Sequence, residues 1–141
     1  MNKRTRGHRD IIDDLAAQGK HLEAFLLAWS IVEFFASDTL YRVFLNISGR
    51  KPNWEWVLDM QVSTKLRTLK QLGALTDEEY SAIWVFKKKR DELDHTHGLY
   101  YQNYPIEVKE ALVKKGGAAV DATYDAFDRA TEATTKGGTA N

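Results

Sequence analysis

Metal-free phosphodiester chemistry needs two kinds of side chain: a cation to hold charge building on phosphate oxygens, and a group that moves protons near neutral pH. Arg90 can supply the first, and His95 or His97, five and seven residues later, the second; Asp91 follows the arginine directly. Such a set could take the proton of a ribose 2′-hydroxyl and stabilise the charge that develops as its oxygen attacks phosphorus. The products would be a 2′,3′-cyclic phosphate and a 5′-hydroxyl, and DNA, lacking that hydroxyl, would bind but not react. Asp91 could orient either Arg90 or the histidine of a facing subunit. Spacing alone decides nothing: with eight arginines and four histidines in the chain, it arises by chance about 0.7 times.

Helix geometry constrains the set further. Five residues advance about 7.5 Å and turn about 140° beyond a full turn, so Arg90 and His95 of one straight helix diverge. His97 lies about 20° from Arg90 in projection but about 10.5 Å along the axis. One chain is therefore a poor site, whereas two chains about a two-fold axis gather two arginines and two histidines around one cleft. The dipole at a helix C-terminus and the carboxylates Asp91, Glu92 and Asp94 favour the protonated imidazole, so the His95 pKa is expected to be raised.

The elements that must position these residues are helical. From Arg9 to Ile47, apolar residues such as Ile11, Leu15, Leu22, Phe25, Trp29, Val32, Ala36 and Leu40 recur at three- and four-residue steps, which predicts one long helix or two collinear ones meeting near Gly19. Trp54 to Leu58 is expected to form a short turn over the bundle's end, Val62 to Leu72 a second helix stopped by Gly73. Thr76-Asp77-Glu78-Glu79 is a capping box, so a helix begins there and runs to about His97, before Gly98. Pro105 opens another at a position where its fixed dihedral is tolerated; Gly116 and Gly117 weaken it, giving one kinked helix or two short ones. Residues 134–141 are expected to fray, and 1–8 to form a flexible basic arm. No stretch alternates with period two. The expected fold is all-α, a single up-and-down bundle of about four to five helices with a long N-terminal helix.

Two segments, HLEAFLLAWSIVEFF and KLRTLKQLGALTDEEYSAIWVFKKKRDELDH, resemble the HEPN domains (higher eukaryotes and prokaryotes nucleotide-binding) over roughly His21 to Gly98. The family's motif, an arginine, usually a polar residue after it, and a histidine four to six residues on, is matched by Arg90, Asp91 and His95. The resemblance implies a metal-independent endoribonuclease acting as a homodimer with motifs facing each other, in many members a toxin with a cognate antitoxin protein or a defence component. It equally admits members without activity that serve as dimerisation or protein-interaction modules. On the active reading Arg90 binds the scissile phosphate, His95 or His97 acts as acid or base, and Lys87, Lys88 and Lys89 lie along the RNA. No cofactor and no metal are expected.

Composition bounds the alternatives. With 141 residues, 43% of them hydrophobic, the chain can bury one core. Its 20 basic and 20 acidic residues cancel, so RNA binding must rest on local patches. The absence of cysteine excludes thiolate catalysis and disulfides and fits a cytoplasmic protein. The run Ala24 to Ala36, broken by Ser30 and Glu33, falls short of the roughly 20 apolar residues of a membrane span and is expected to be a core helix. Glu33 is either a buried partner for Arg90 or the edge of the apolar stripe. Trp29 and Trp84 are expected in the core, with Trp54 and Trp56 open to either packing or base stacking. His8 and His21 show no metal-site spacing. Arg90 and the lysines could equally form an ordinary solvated helix face, with pairs such as Arg90–Asp94 and Lys89–Glu92.

Overall fold

The computed structural model describes residues 3–95 and 103–138, with side chains placed for 7–93 and 103–135. Among the described residues six helices follow one another: α1 (Lys3–Ala17), α2 (His21–Ser48), α3 (Trp54–Asp59), α4 (Val62–Gln71), α5 (Asp77–His95) and α6 (Ile106–Gly138). The chain is an all-α helical bundle, and no strand occurs among the described residues. The helix beyond the expected four to five is α3. The side chain of Asn53 accepts the Trp56 backbone N–H at 3.0 Å, so the expected turn closes into a capped helix.

The segment from Arg9 to Ile47 is two helices that are not collinear. After Ala17 the chain closes a Schellman turn: Gly19 takes φ 78°, its N–H donates to Ala16 O at 3.0 Å and the Lys20 N–H to Leu15 O at 2.9 Å. The reversal lays α1 antiparallel to α2 and α6. Arg9 reaches Asp121 at 3.2 Å, while Ala16 shares a groove with Val113, further toward the start of α6. Ile12 between them is fully buried. The residues expected as a basic arm are therefore mostly the first turns of α1, and the helix that dominates the N-terminal half is α2, the second in order.

At its centre α2 buries Phe25, Ala28, Trp29, Val32, Ala36 and Leu40. It runs parallel to α6, since Gly116 lies against Ala28 and Asn46 donates to Ala130 O at 3.3 Å. In length and composition α2 reaches what a membrane crossing requires, more than the uninterrupted apolar run indicated, and over half of its most apolar stretch is buried in the bundle. Packing on α6, α1, α4 and α5 accounts for an apolar circumference wider than one contact needs.

The last helix is continuous where the sequence predicted a weak point, and it continues to Gly138 where fraying was expected. At the start of the segment expected to fray, the Thr134 hydroxyl donates to Asn46 Oδ1 at 2.8 Å, while residues 139–141 lie outside the described residues. Gly116 serves close approach: a Cβ there would stand 3.0 Å from Ala28 Cβ and 3.1 Å from the Phe86 ring. At Gly117 the obstacle is only the far end of the Arg9 side chain. The two glycines should therefore respond oppositely to alanine. Either change gains up to about 1 kcal/mol of helix propensity. At 116 the walls are a methyl group and a buried ring, so overpacking costs about 1–3 kcal/mol and the melting midpoint should fall. At 117 the flexible Arg9 head can shift, loosening its pairs with the exposed carboxylates of Asp13 and Asp121 at about 0–1 kcal/mol, and the midpoint should hold or rise. Thermal melts followed by circular dichroism decide; a midpoint for Gly116→Ala at or above the parent would contradict the packing argument.

Candidate nucleic-acid interface

Helix α5 carries the candidate site, and both its start and one of its faces are fixed by neighbours. The Thr76 N–H donates to the Glu79 carboxylate at 2.8 Å and the Glu79 N–H to the Thr76 hydroxyl at 3.1 Å, the capping box the sequence predicted. Arg129 of α6 grips the same carboxylate, with one contact at 2.8 Å, and donates to Ala74 O at 3.0 Å. Burial opposes ionisation of Glu79, but Arg129 and Thr76 prevail and hold its pKa below the usual value. Ile83, Phe86 and Leu93 are buried, anchoring α5 on the core.

The Arg90 guanidinium lies over the Trp29 ring, 4.8 Å from its centroid. That ring is itself edge-on to Phe86 at 5.9 Å, and Phe86 to Phe25 at 5.0 Å, so the arginine stands on a packed aromatic platform. Arg90 Nη1 meets Asp91 Oδ1 at 3.3 Å, and Lys87 Nζ meets Asp91 Oδ2 at 2.6 Å. Partial burial raises the Asp91 pKa less than Lys87 and Arg90 lower it, so the net shift is downward. Asp91 is consequently an ionised acceptor, suited to orienting a cation and not to donating a proton. The Arg90 and Asp91 side chains are 35% and 34% exposed, open to a ligand yet held in place.

Other predicted site residues fare differently. Lys87, Lys88 and Lys89 do not form one track, because successive helix positions turn by about 100°. Lys87 is engaged with Asp91, Lys88 is exposed, and Lys89 makes the ordinary surface pair with Glu92 at 3.4 Å. His95 closes α5, but its side chain, that of Asp94, and all of His97 lie outside the described residues, as does any pKa shift of His95. Glu33 is exposed, the edge of the stripe and no buried partner. His21 is buried, with Nδ1 3.1 Å from Gly19 O; His8 is exposed. Among the described residues no three His, Asp or Glu side chains gather into a group that could hold a metal ion. Trp54 packs edge-on to Tyr41 at 5.7 Å, while Trp56 leans on Phe44 at 5.6 Å and stays 54% exposed.

Two features escaped the sequence reading. The first is a ladder of rings and cations across α4 and α5. Tyr80 and Trp84 stack with centroids 5.4 Å apart at 19°; Lys70 lies 4.5 Å over Tyr80, and Arg67 and Lys87 each lie 5.2 Å over Trp84. Trp84, expected in the core, is only half-buried at its edge. Each exposed cation–π contact contributes about 0.5–1 kcal/mol. The signal was in the spacing: Tyr80, Trp84, Lys87 and Asp91 recur at four, three and four residues on α5, and Arg67 and Lys70 at three on α4.

The second is Lys65, 2% exposed, whose ammonium donates to Ser37 Oγ at 2.7 Å and to Leu58 O at 3.2 Å. A serine–lysine pair can serve nucleophilic catalysis, but Ser37 is 1% exposed, so no substrate reaches it. The lysine instead joins α2, α3 and α4. An open groove of about 300 Å³ lined by Val43, Ile47, Leu72 and Ala133 lies far from Arg90, the seventeen positions from Trp29 to Asn46 spanning about 25 Å of α2. The fold and site thus define an all-α bundle with a cationic, ring-bearing face on α4 and α5. Compared with protein-family models, with curated proteins and with solved structures, the chain matches none.

Proposed function

We propose that this chain is a metal-independent endoribonuclease of HEPN type, acting as a homodimer, with a cognate antitoxin protein as partner where it works as a toxin. The observation that supports this most is Arg90 itself: a part-exposed guanidinium held over the buried Trp29 ring and tethered to the ionised Asp91, five residues before the histidine that ends α5. Preorganised charge of this kind lowers barriers because it needs no rearrangement as the phosphate charge grows. A histidine at 95 or 97 removes the 2′-hydroxyl proton; the 2′-oxygen attacks phosphorus, the P–O5′ bond breaks, the 5′-oxygen leaves with a proton returned by the imidazolium or taken from water, and Arg90 neutralises the non-bridging oxygens. Arg90 and His95 diverge along one helix, which supports a site completed across a two-fold axis.

The test is cleavage of RNA by purified protein in excess chelator. Expected are 2′,3′-cyclic phosphate ends, no cleavage where the scissile ribose is 2′-deoxy, and a rate that changes with pH around neutrality as the histidine titrates. Intact RNA, or a pH-independent rate, would sink the proposal. A second reading, a silent bundle that dimerises or binds protein, is favoured by the exposed apolar side chains of Leu22, Leu26 and Phe34 along α2, at 41%, 53% and 52%. A stable dimer without RNA cleavage is its signature.

A further inference from the structure

We propose that the ladder formed by Arg67, Lys70, Tyr80, Trp84 and Lys87 binds an unpaired stretch of RNA and delivers it to Arg90. This rests on the ribonuclease reading and names the form of substrate: single-stranded, recognised by base stacking and backbone charge and not by sequence. Three observations carry it. Tyr80 and Trp84 are stacked on one another and only half-buried, a two-ring platform at the surface. Three cations already lie on those rings, at 4.5, 5.2 and 5.2 Å. The face runs one helical turn further to Asp91 and Arg90, joined to it through Lys87.

The chemistry fits unpaired RNA because every base has a π-face and every linkage a negative charge. Flexible lysine and arginine heads that rest on rings in the free protein can move onto phosphates, uncovering the rings for bases. Four cations, Arg67, Lys70, Lys87 and Arg90, crowd this face, and among the described residues Asp77 and Asp91 pair with them, so positive charge is concentrated here although the whole chain is neutral. A duplex offers the phosphates but keeps its bases stacked inside, so it gains from the cations alone.

The test is fluorescence anisotropy of the full chain with a labelled 12-nucleotide 2′-O-methyl oligouridylate, which binds without being cut. Arg67→Gln with Lys70→Gln should weaken binding about tenfold and reduce the slope of log affinity against log salt by about 1.4, two contacts at about 0.7 each on a single strand. Trp84→Leu and, separately, Tyr80→Leu should each weaken it about tenfold while circular dichroism stays that of the parent. The matching duplex should bind more weakly than the single strand. Equal affinity of parent and Arg67/Lys70 variant, or of duplex and single strand, would overturn the proposal. Binding that obeys these expectations in a protein that cuts no RNA would leave the ladder standing and the nuclease reading fallen; cleavage indifferent to the Arg67/Lys70 and Tyr80 substitutions would do the reverse.

Discussion

Replacing Arg90 by alanine is expected to slow single-turnover RNA cleavage about 10²–10³-fold, and replacing His95 about 10²–10⁴-fold, while a one-to-one mixture of the two inactive proteins regains activity. The recovery follows from geometry. Arg90 and His95 are five positions apart on α5, so a site that uses both draws them from different chains of a dimer. In a mixed dimer one composite site loses both groups and the other keeps both. Half of randomly paired dimers are mixed, so the mixture should recover about a quarter of the parent rate. Arg90→Lys should recover little alone, because an ammonium lacks the planar fork and stacks poorly on Trp29. Arg90→Ala also gives up that ring contact, worth about 0.5–2 kcal/mol, so rates should be compared well below its melting midpoint. Two inactive variants that stay inactive when mixed would show that each site lies within one chain. Full activity in His95→Ala with loss in His97→Ala would move the role to His97.

What the sequence disclosed of this arrangement was whatever depends on neighbours in the chain. The capping box at Thr76 and Glu79 and the stop at Gly73 are local hydrogen-bond chemistry, and the residue types of Arg90 and Asp91 announced their charge. Contacts between distant elements stayed hidden. The reversal at Gly19 sets Arg9 against Asp121, 112 residues away. Gly116 reads as a helix breaker until Ala28 and Phe86 arrive beside it. Trp84 reads as core until Arg67 from α4 is seen across its ring. A lysine in a helix reads as surface, and nothing near Lys65 in the chain says that Ser37 and the Leu58 carbonyl will enclose it. The exposed pairs, Lys89–Glu92 among them, follow from local spacing and contribute least to stability.

Lys65→Glu is expected to cost about 3–5 kcal/mol or prevent folding, since it sets an uncompensated charge among groups arranged for a cation. Glu33 and Asp59 bear on the lysine electrostatically, and the receiving oxygens, Ser37 Oγ and Leu58 O, are acceptors for its protons. Lys65→Met should stay within about 1–2 kcal/mol of the parent at neutral pH, because it keeps the volume and removes the cost of burying a charge. The Ser37 hydroxyl still has the Glu33 carbonyl at 3.1 Å, and Leu58, 45% exposed, can offer its carbonyl to water. Burial lowers the Lys65 pKa below 10.5 against the opposing pull of Glu33 and Asp59. The unfolded chain therefore holds the proton more tightly. Below the folded pKa the full penalty of the buried ammonium is present; as pH climbs from there toward 10.5 it is relieved, and the parent gains stability. The methionine variant has no such group, so urea melts at a series of pH values should show the parent gaining on it across that interval. A constant difference between the two proteins would mean that the ammonium is hydrated in the folded state, and α3 would then be held by its apolar contacts, Val57 foremost, without the lysine.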